Sequence, residues 1–316
     1  MKKEIRYSAM QKQEIGFLLH DQIDKDLWDK CIKNAFNGMA YAESWYLDIV
    51  SPGWCALVQW NYNRVMPLPV KRKYGINYII QPLFTQQLGV FSIQQMDSSV
   101  IEDFLIAIPS KYLFTHINLN THNHLLNPLC NNLNHELDLI ENYDEIKSRY
   151  SENLKRNIKK AEKASLTAVK HVRPEEVIRL FRNDRGKEVK SWGEEQYRLL
   201  QKLLYTGMHK NRMDTYGVLS SRNEIIAAAV FLKSRKSLVF LFSGNSDEGK
   251  KTGAMPFLID KYIEDHAEMH LILDFEGSNN ENLARFYRSF GSSPIYYPEY
   301  KSARGPKVFQ QFLLNR

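Results

Sequence analysis

One pattern constrains this chain more than any other. Two stretches, one on either side of a basic helix, carry the same order of helical and strand periodicities. In the first, Leu27, Cys31 and Ala35 recur at helical spacing, and residues 45–50 read as a second helical turn. Short runs rich in β-branched and aromatic residues follow at 55–60, 64–70, 77–81 and 88–91, parted by Asn, Gly and Pro in the manner of an antiparallel meander. A helix over 98–108 stopped by Pro109, an alternating strand over 113–119 and a strand over 136–140 complete the stretch. The second stretch has helices at 175–181 and 194–209, strands at 215–220, 225–233 and 238–243, a helix at 253–266, a strand at 271–275, a helix at 281–290 and a last strand at 308–314. Repetition of element order predicts duplication of one fold. The expected class is α/β (α+β): a first domain over 1–143, a basic linking helix over 144–165 and a second domain over 166–316. Length agrees, because 316 residues exceed what a single hydrophobic core serves.

Several chemistries are absent from the pattern. No run of about 18 apolar residues occurs, and residues 1–26 hold no apolar stretch suited to a signal peptide, so the expectation is a cytoplasmic protein without membrane insertion. Cys31, Cys55 and Cys130 are odd in number, widely spaced and without a CxxC pair, which predicts buried free thiols. His116, His122 and His124 are close together but lack the paired-ligand spacing of zinc sites, so no metal is expected. No GxSxG elbow, Walker loop or Rossmann fingerprint is present. The net charge of +7 favours anionic partners, whether nucleic acid, a nucleotide-bearing substrate or the phosphates of coenzyme A.

Chemistry concentrates between residues 243 and 291. The run SGNSDEGKKTGAMPF sets a glycine-bearing turn after a strand and before a helix. Gly249 and Gly253 would let backbone approach a ligand, and first-turn N–H groups with Lys250 and Lys251 would attract phosphate. Ser243, Thr252 and Ala254 belong to the same candidate loop, and an ordinary polar loop fits the spacing equally well. Next, LILDFEGSNNENLARFYRSFG runs a buried-looking strand into Asp274 and Glu276, turns at Gly277 and enters a helix that Asn279 or Asn280 can cap. Leu283, Phe286, Tyr287 and Phe290 give that helix an apolar stripe, and Tyr287 as a core residue is the plain alternative.

The helix NENLARFYRSFG resembles that of GNAT-superfamily acetyltransferases at Asn280, Tyr287 and Gly291. The resemblance implies a GNAT-like domain, a mixed, largely antiparallel sheet flanked by helices, and the repeated element order makes the expectation two tandem GNAT-like domains. The resemblance also implies that Tyr287 is the acid that reprotonates a coenzyme A thiolate, with 249–254 as the counterpart of the pyrophosphate loop. Lys250 and Met255 depart from that loop's usual residues. A broader resemblance, to the Fem-like aminoacyltransferases, spans nearly the whole chain through Trp28 to Trp45, NLKRNIKKAEKASL and DFEGSNNENLARFYRSFG. It implies an aminoacyl-tRNA donor and a peptide amine acceptor. Tyr287 departs from that family too, standing where it usually carries lysine.

Two further regions carry candidate binding residues. In the linking helix, Tyr150, Leu154, Ile158, Ala161 and Ser165 line one face, and Lys155, Arg156, Lys159, Lys160 and Lys163 spread over the other, a surface for tRNA or a nucleotide diphosphate, or merely a solvated face. In the first half, Gln81, Gln86 and Gln87 cluster with Tyr78 and Phe84 and could line a substrate groove, while Tyr41, Trp45 and Trp54 read as core. The combined expectation is an N-acyltransferase that moves an acyl or aminoacyl group from acyl-CoA (acetyl-CoA) or aminoacyl-tRNA to a small-molecule or peptide amine. In it Glu276 or Asp274 acts as base and Tyr287 as acid. The alternative is a non-catalytic anion- or RNA-binding module on the same fold.

Overall fold

The computed structural model describes residues 14–304, apart from 127, 129, 190 and 278. The strand expected at 308–314 lies outside the described residues. The first half comprises β1 (Gly16–Leu18), α1 (Lys25–Asn34), α2 (Ser44–Val50), β2 (Cys55–Gln59), β3 (Arg64–Leu68), β4 (Val70–Lys73), β5 (Ile76–Ile80), β6 (Phe91–Ser92), α3 (Ser98–Ile106), β7 (Tyr112–Asn118) and β8 (Cys130–Asp138). Helices α4 (Tyr143–Ser148) and α5 (Glu152–Lys163) follow. The second half comprises β9 (Thr167–Lys170), α6 (Pro174–Asn183), α7 (Glu194–His209), β10 (Met213–Leu219), β11 (Ile225–Lys233), β12 (Ser237–Asn245), α8 (Asp247–Thr252), α9 (Ala254–His266), β13 (Ile272–Gly277), α10 (Glu281–Arg288) and β14 (Ser293–Ala303).

Local chemistry explains where two expected elements break. The linking helix is two helices, because Ser151 leaves the helical path. Its side chain accepts the Leu154 N–H at 3.2 Å as the cap of α5, and its own N–H donates to the Ser289 carbonyl at 2.9 Å. The strand expected over 64–70 divides at Pro69, which has no N–H for a ladder, so that β3 and β4 enter different sheets. The predicted stripe is buried at Tyr150, just before α5, and at Leu154, Ile158 and Ala161 on it, whereas Ser165 lies beyond the helix end with φ of 53°.

A four-stranded sheet has the order β1-β2-β3-β6, and a ten-stranded sheet the order β4-β5-β7-β14-β8-β13-β12-β11-β10-β9. The long sheet reads symmetrically outward from its β14/β8 pair. Each half supplies one parallel pair, β5 with β7 and β12 with β13. The closing strand of each half sits beside the parallel pair of the other half, β8 against β13 and β14 against β7. The two halves therefore exchange their last strands.

No element is expected from the sequence at 293–303, and Pro294 and Pro298 are residues that a central strand disfavours. The structure accommodates them by parity. Pro298 accepts the Leu119 N–H on its carbonyl at 2.9 Å, so its ring nitrogen also faces the β7 side, just past the ladder that begins at Glu299↔Asn118. Pro294, four residues earlier, faces the same way where β7 has ended, and no bond to β8 is lost.

Three apolar clusters hold the sheets. One joins the halves directly, packing Trp28, Tyr41, Leu47 and Trp54 of the first with Leu180, Phe181, Leu203 and Val230 of the second. The second lies on the opposite face of β11–β13 under α5, α9 and α10, and the third packs α3 against β2, β3 and β7. Alternate residues of β11 serve the first two clusters, Ala228, Val230 and Leu232 one and Ala227, Ala229 and Phe231 the other, which is why its whole run is apolar.

Candidate active site

Strands β12 and β13 stay paired for only three residues, Ser237↔Ile272, Leu238↔Leu273 and Val239↔Asp274. Just beyond, β12 carries a bulge: Phe240 faces Phe231 and Phe242 faces Val230, leaving Leu241 as the extra residue. A bulge bends its strand and raises the local twist. Here it turns β12 away from β13, and a cleft of about 760 Å³ opens where they part, bordered by Ser243, Lys250, Met255, Asn280 and Tyr287. The corresponding pair in the first half stays closed. After Ile80 the chain loops out over 81–87 and returns to β7, where Leu88 N–H donates to Asn118 O and Asn120 N–H to Leu88 O, both at 2.8 Å.

Tyr287 borders the cleft from the face that carries α9 and α10. Asn280 caps α10, accepting the Asn282 and Leu283 N–H groups at 3.0 and 3.3 Å, and so orients the helix that presents Tyr287. The ring stacks on Phe275 with centroids 5.0 Å apart. Burial and the nearby Glu276 charge push its hydroxyl pKa well up, keeping it protonated as an acid must be. Beside it, 6.2 Å between ring centroids, is His135 of β8, wholly buried and with neither ring nitrogen hydrogen-bonded among the described residues.

Carboxylates gather on the opposite face of the sheet. Asp274 and Glu136 are register partners across β13 and β8, which sets their side chains next to each other. The bulge between Asp274 and Gly277 leaves Glu276 left-handed with φ of 60°, and its N–H donates to Asp274 Oδ1 at 2.7 Å. Burial raises all three acids, Asp274 to about 6, Glu136 to about 7 and Glu276 to about 8, and the Asp274 charge adds to the rise in the other two. Opposing this, the buried Tyr41 hydroxyl donates to Glu276 Oε1 and holds its pKa down. A carboxyl poised near neutrality, close enough for its charge to act on Tyr287, can accept a proton at physiological pH.

The remaining predicted residues are dispersed. Lys250 is ion-paired with Asp184, which lines the same cleft. Gly249 and Gly253 allow close approach of protein backbone instead of a ligand: a Cβ would lie 2.7 Å from Ile226 O at the first and 2.5 Å from Asn157 O at the second. Thr252 spends its hydroxyl on Glu248 O at 2.8 Å, Ala254 is buried in the core, and Lys251 is exposed outside the cleft lining. Gln81 and Gln87 brace the 81–87 loop, Gln81 through Thr85 O and Asn118 N–H and Gln87 through the Thr121 N–H. Gln86 lies against Gly277, its Nε2 2.7 Å from where a Cβ on that residue would lie. Arg156 and Lys160 are exposed on α5.

Tyr41, Glu136 and His135 escaped sequence reading. Tyr41 looked like core, which it also is, and only the register of a strand contributed by the other half brings Glu136 and His135 here. Among the described residues no group of His, Cys, Asp or Glu is disposed to hold a metal ion, and no helix is long and apolar enough to cross a membrane.

No protein-family model and no curated protein sequence matches the chain. Solved structures do. The chain is similar to FemX at 12% identity and a TM-score of 0.67, covering 92% of this chain and 98% of that one. It is similar to L-PGS from Bacillus licheniformis at 13% identity and a TM-score of 0.57, over 93% and 96%. A tandem GNAT protein from the clavulanic acid biosynthesis pathway matches at 11% identity and a TM-score of 0.50, over 93% and 100%. The fold is thus a tandem GNAT-like one of the Fem type.

Proposed function

We propose that this protein is an N-acyltransferase whose donor lies in the cleft between β12 and β13 and whose acceptor amine reaches the gap from the carboxylate face. The observation that carries the reading is the parting of these strands with a protonated hydroxyl, Tyr287, bordering one side and a near-neutral carboxylate, Glu276, on the other. The amine must shed a proton to attack, and Glu276 takes it, directly or through a water. Nitrogen then bonds to the carbonyl carbon as the thioester C–S or ester C–O bond breaks, and Tyr287 protonates the departing sulfur or oxygen. N–H groups on the edge of β12 freed beyond Val239 face the developing oxyanion.

Two donor classes fit. An acyl-CoA suits the cleft's volume of about 760 Å³ and the resemblance of α10. An aminoacyl-tRNA is favoured by α5, where Arg156, Lys159, Lys160 and Lys163 are all exposed while the opposite face is buried. The test is a thermal-shift screen with acetyl-CoA, longer acyl-CoAs and charged tRNA, followed by transfer assays to amines with whichever donor raises the midpoint. If no donor shifts the midpoint and no acyl group is transferred, the reading fails.

A further inference from the structure

The end of the long sheet at its β4 edge carries a surface unrelated to the cleft. The β4–β5 hairpin presents Lys71, Arg72 and Lys73 in succession, all exposed, and turns at Tyr74, whose side chain is 91% exposed on a left-handed residue with φ of 51°. The register Asn77↔Tyr112 sets this turn beside the start of β7, where Lys111 is exposed. The α3–β7 connection lies there too, and at its start Ile106 is 77% exposed. Arg304, after β14, is tied to the same corner, its N–H on Leu113 O at 2.8 Å and its Nη1 on Ile108 O at 3.0 Å. No acidic residue occurs in 71–80, 104–115 or 300–304; the acids nearest in sequence are Glu102 and Asp103, one turn before Ile106 on α3, and Glu299, which is paired with His116.

Five cations and two largely exposed apolar side chains thus share one end of the sheet. RNA would answer the cations but gives the aliphatic side chain nothing to bury against. A bilayer interface suits both: headgroup phosphates answer the cations, tyrosine sits at headgroup level, and isoleucine enters the acyl boundary. We propose that this corner docks the protein reversibly on an anionic phospholipid surface. The docking is independent of the transferase reading, since none of these residues belongs to the site.

The test is co-sedimentation of the full chain with vesicles of mixed phosphatidylcholine and phosphatidylglycerol, with phosphatidylcholine vesicles and a short RNA duplex as the other arms. Binding to the anionic vesicles alone, weakening as salt rises, is the expected result. Lys71→Glu with Arg72→Glu and Lys73→Glu should weaken it on the order of a hundredfold, since each cation accounts for roughly fivefold near such a surface. A second variant, Tyr74→Asn with Ile106→Ser, keeps all cations and a residue tolerant of the left-handed turn, and should weaken binding roughly tenfold or more, as expected for two lost apolar anchors. Unchanged melting temperatures guard both variants against misfolding. Absence of binding to anionic vesicles, equal binding to both kinds, indifference to both variants, or preference for the RNA would each overturn the proposal.

Discussion

Tyr41 donates its hydroxyl to Glu276, a residue 235 positions further along the chain. The bond ties the first half's tightly buried Tyr41 to the carboxyl that would accept the acceptor's proton in the second. Because a hydrogen bond to the charged form favours it, Tyr41 partly offsets the burial and the Asp274 repulsion that raise Glu276.

Tyr41→Phe should therefore move the base upward in pKa. The rising limb of the rate against pH shifts to more alkaline values, and stability drops by about 1 kcal/mol for the lost bond. Steady-state kinetics across pH read the shift, and an unmoved limb would show that Tyr41 serves packing alone.

For Glu276→Gln, kcat should fall by about two to four orders of magnitude, the usual worth of a positioned base. In the parent protein kcat/KM should climb with pH up to about 8, since the base acts deprotonated. The variant's residual rate should lose that dependence, and a rate near the parent's would remove Glu276 from the mechanism.

With Tyr287→Phe the ring still stacks on Phe275 while the acid is gone. Turnover should drop by roughly a hundredfold or more with donor affinity little changed, because the proton is needed only as the leaving group departs. Equal losses in kcat and donor binding would point to a structural role.

Stability should fall as pH rises. The three carboxyls are raised in the folded chain, so it holds protons that the unfolded chain releases near pH 4. Their contribution is complete below that value and is lost as pH rises through about 6, 7 and 8. As neighbours they titrate as a set. Thermal melts between pH 5 and 9 should show the decline, and Glu276→Gln should flatten its upper part.

At Gly253 the backbone has φ of 78°, and an added Cβ would lie 2.5 Å from the Asn157 carbonyl of α5. Gly253→Ala should cost about 2 kcal/mol through strain and the displaced helix contact. Denaturant unfolding would measure it, and an unchanged midpoint would mean that α5 gives way freely.

Periodicity by itself located most elements, because helices and strands bury one face locally and record it in residue spacing. The stripe of α5, the Asn280 cap and apolar face of α10, and the apolar run of β11 were all readable in this way. So was the segment that ends in Asp274 and Glu276. Tertiary structure alone decided the rest. Strand exchange makes β8 and β14 pair with the opposite half, and no local signal encodes a partner more than a hundred residues away. That pairing sets Glu136 beside Asp274 and His135 beside Tyr287. The cleft itself follows from one extra residue, Leu241, whose bulge is defined only by what lies opposite it in β11. Composition and spacing record which face of an element is buried, whereas register and strand order determine which charged groups share a space and therefore what they can do.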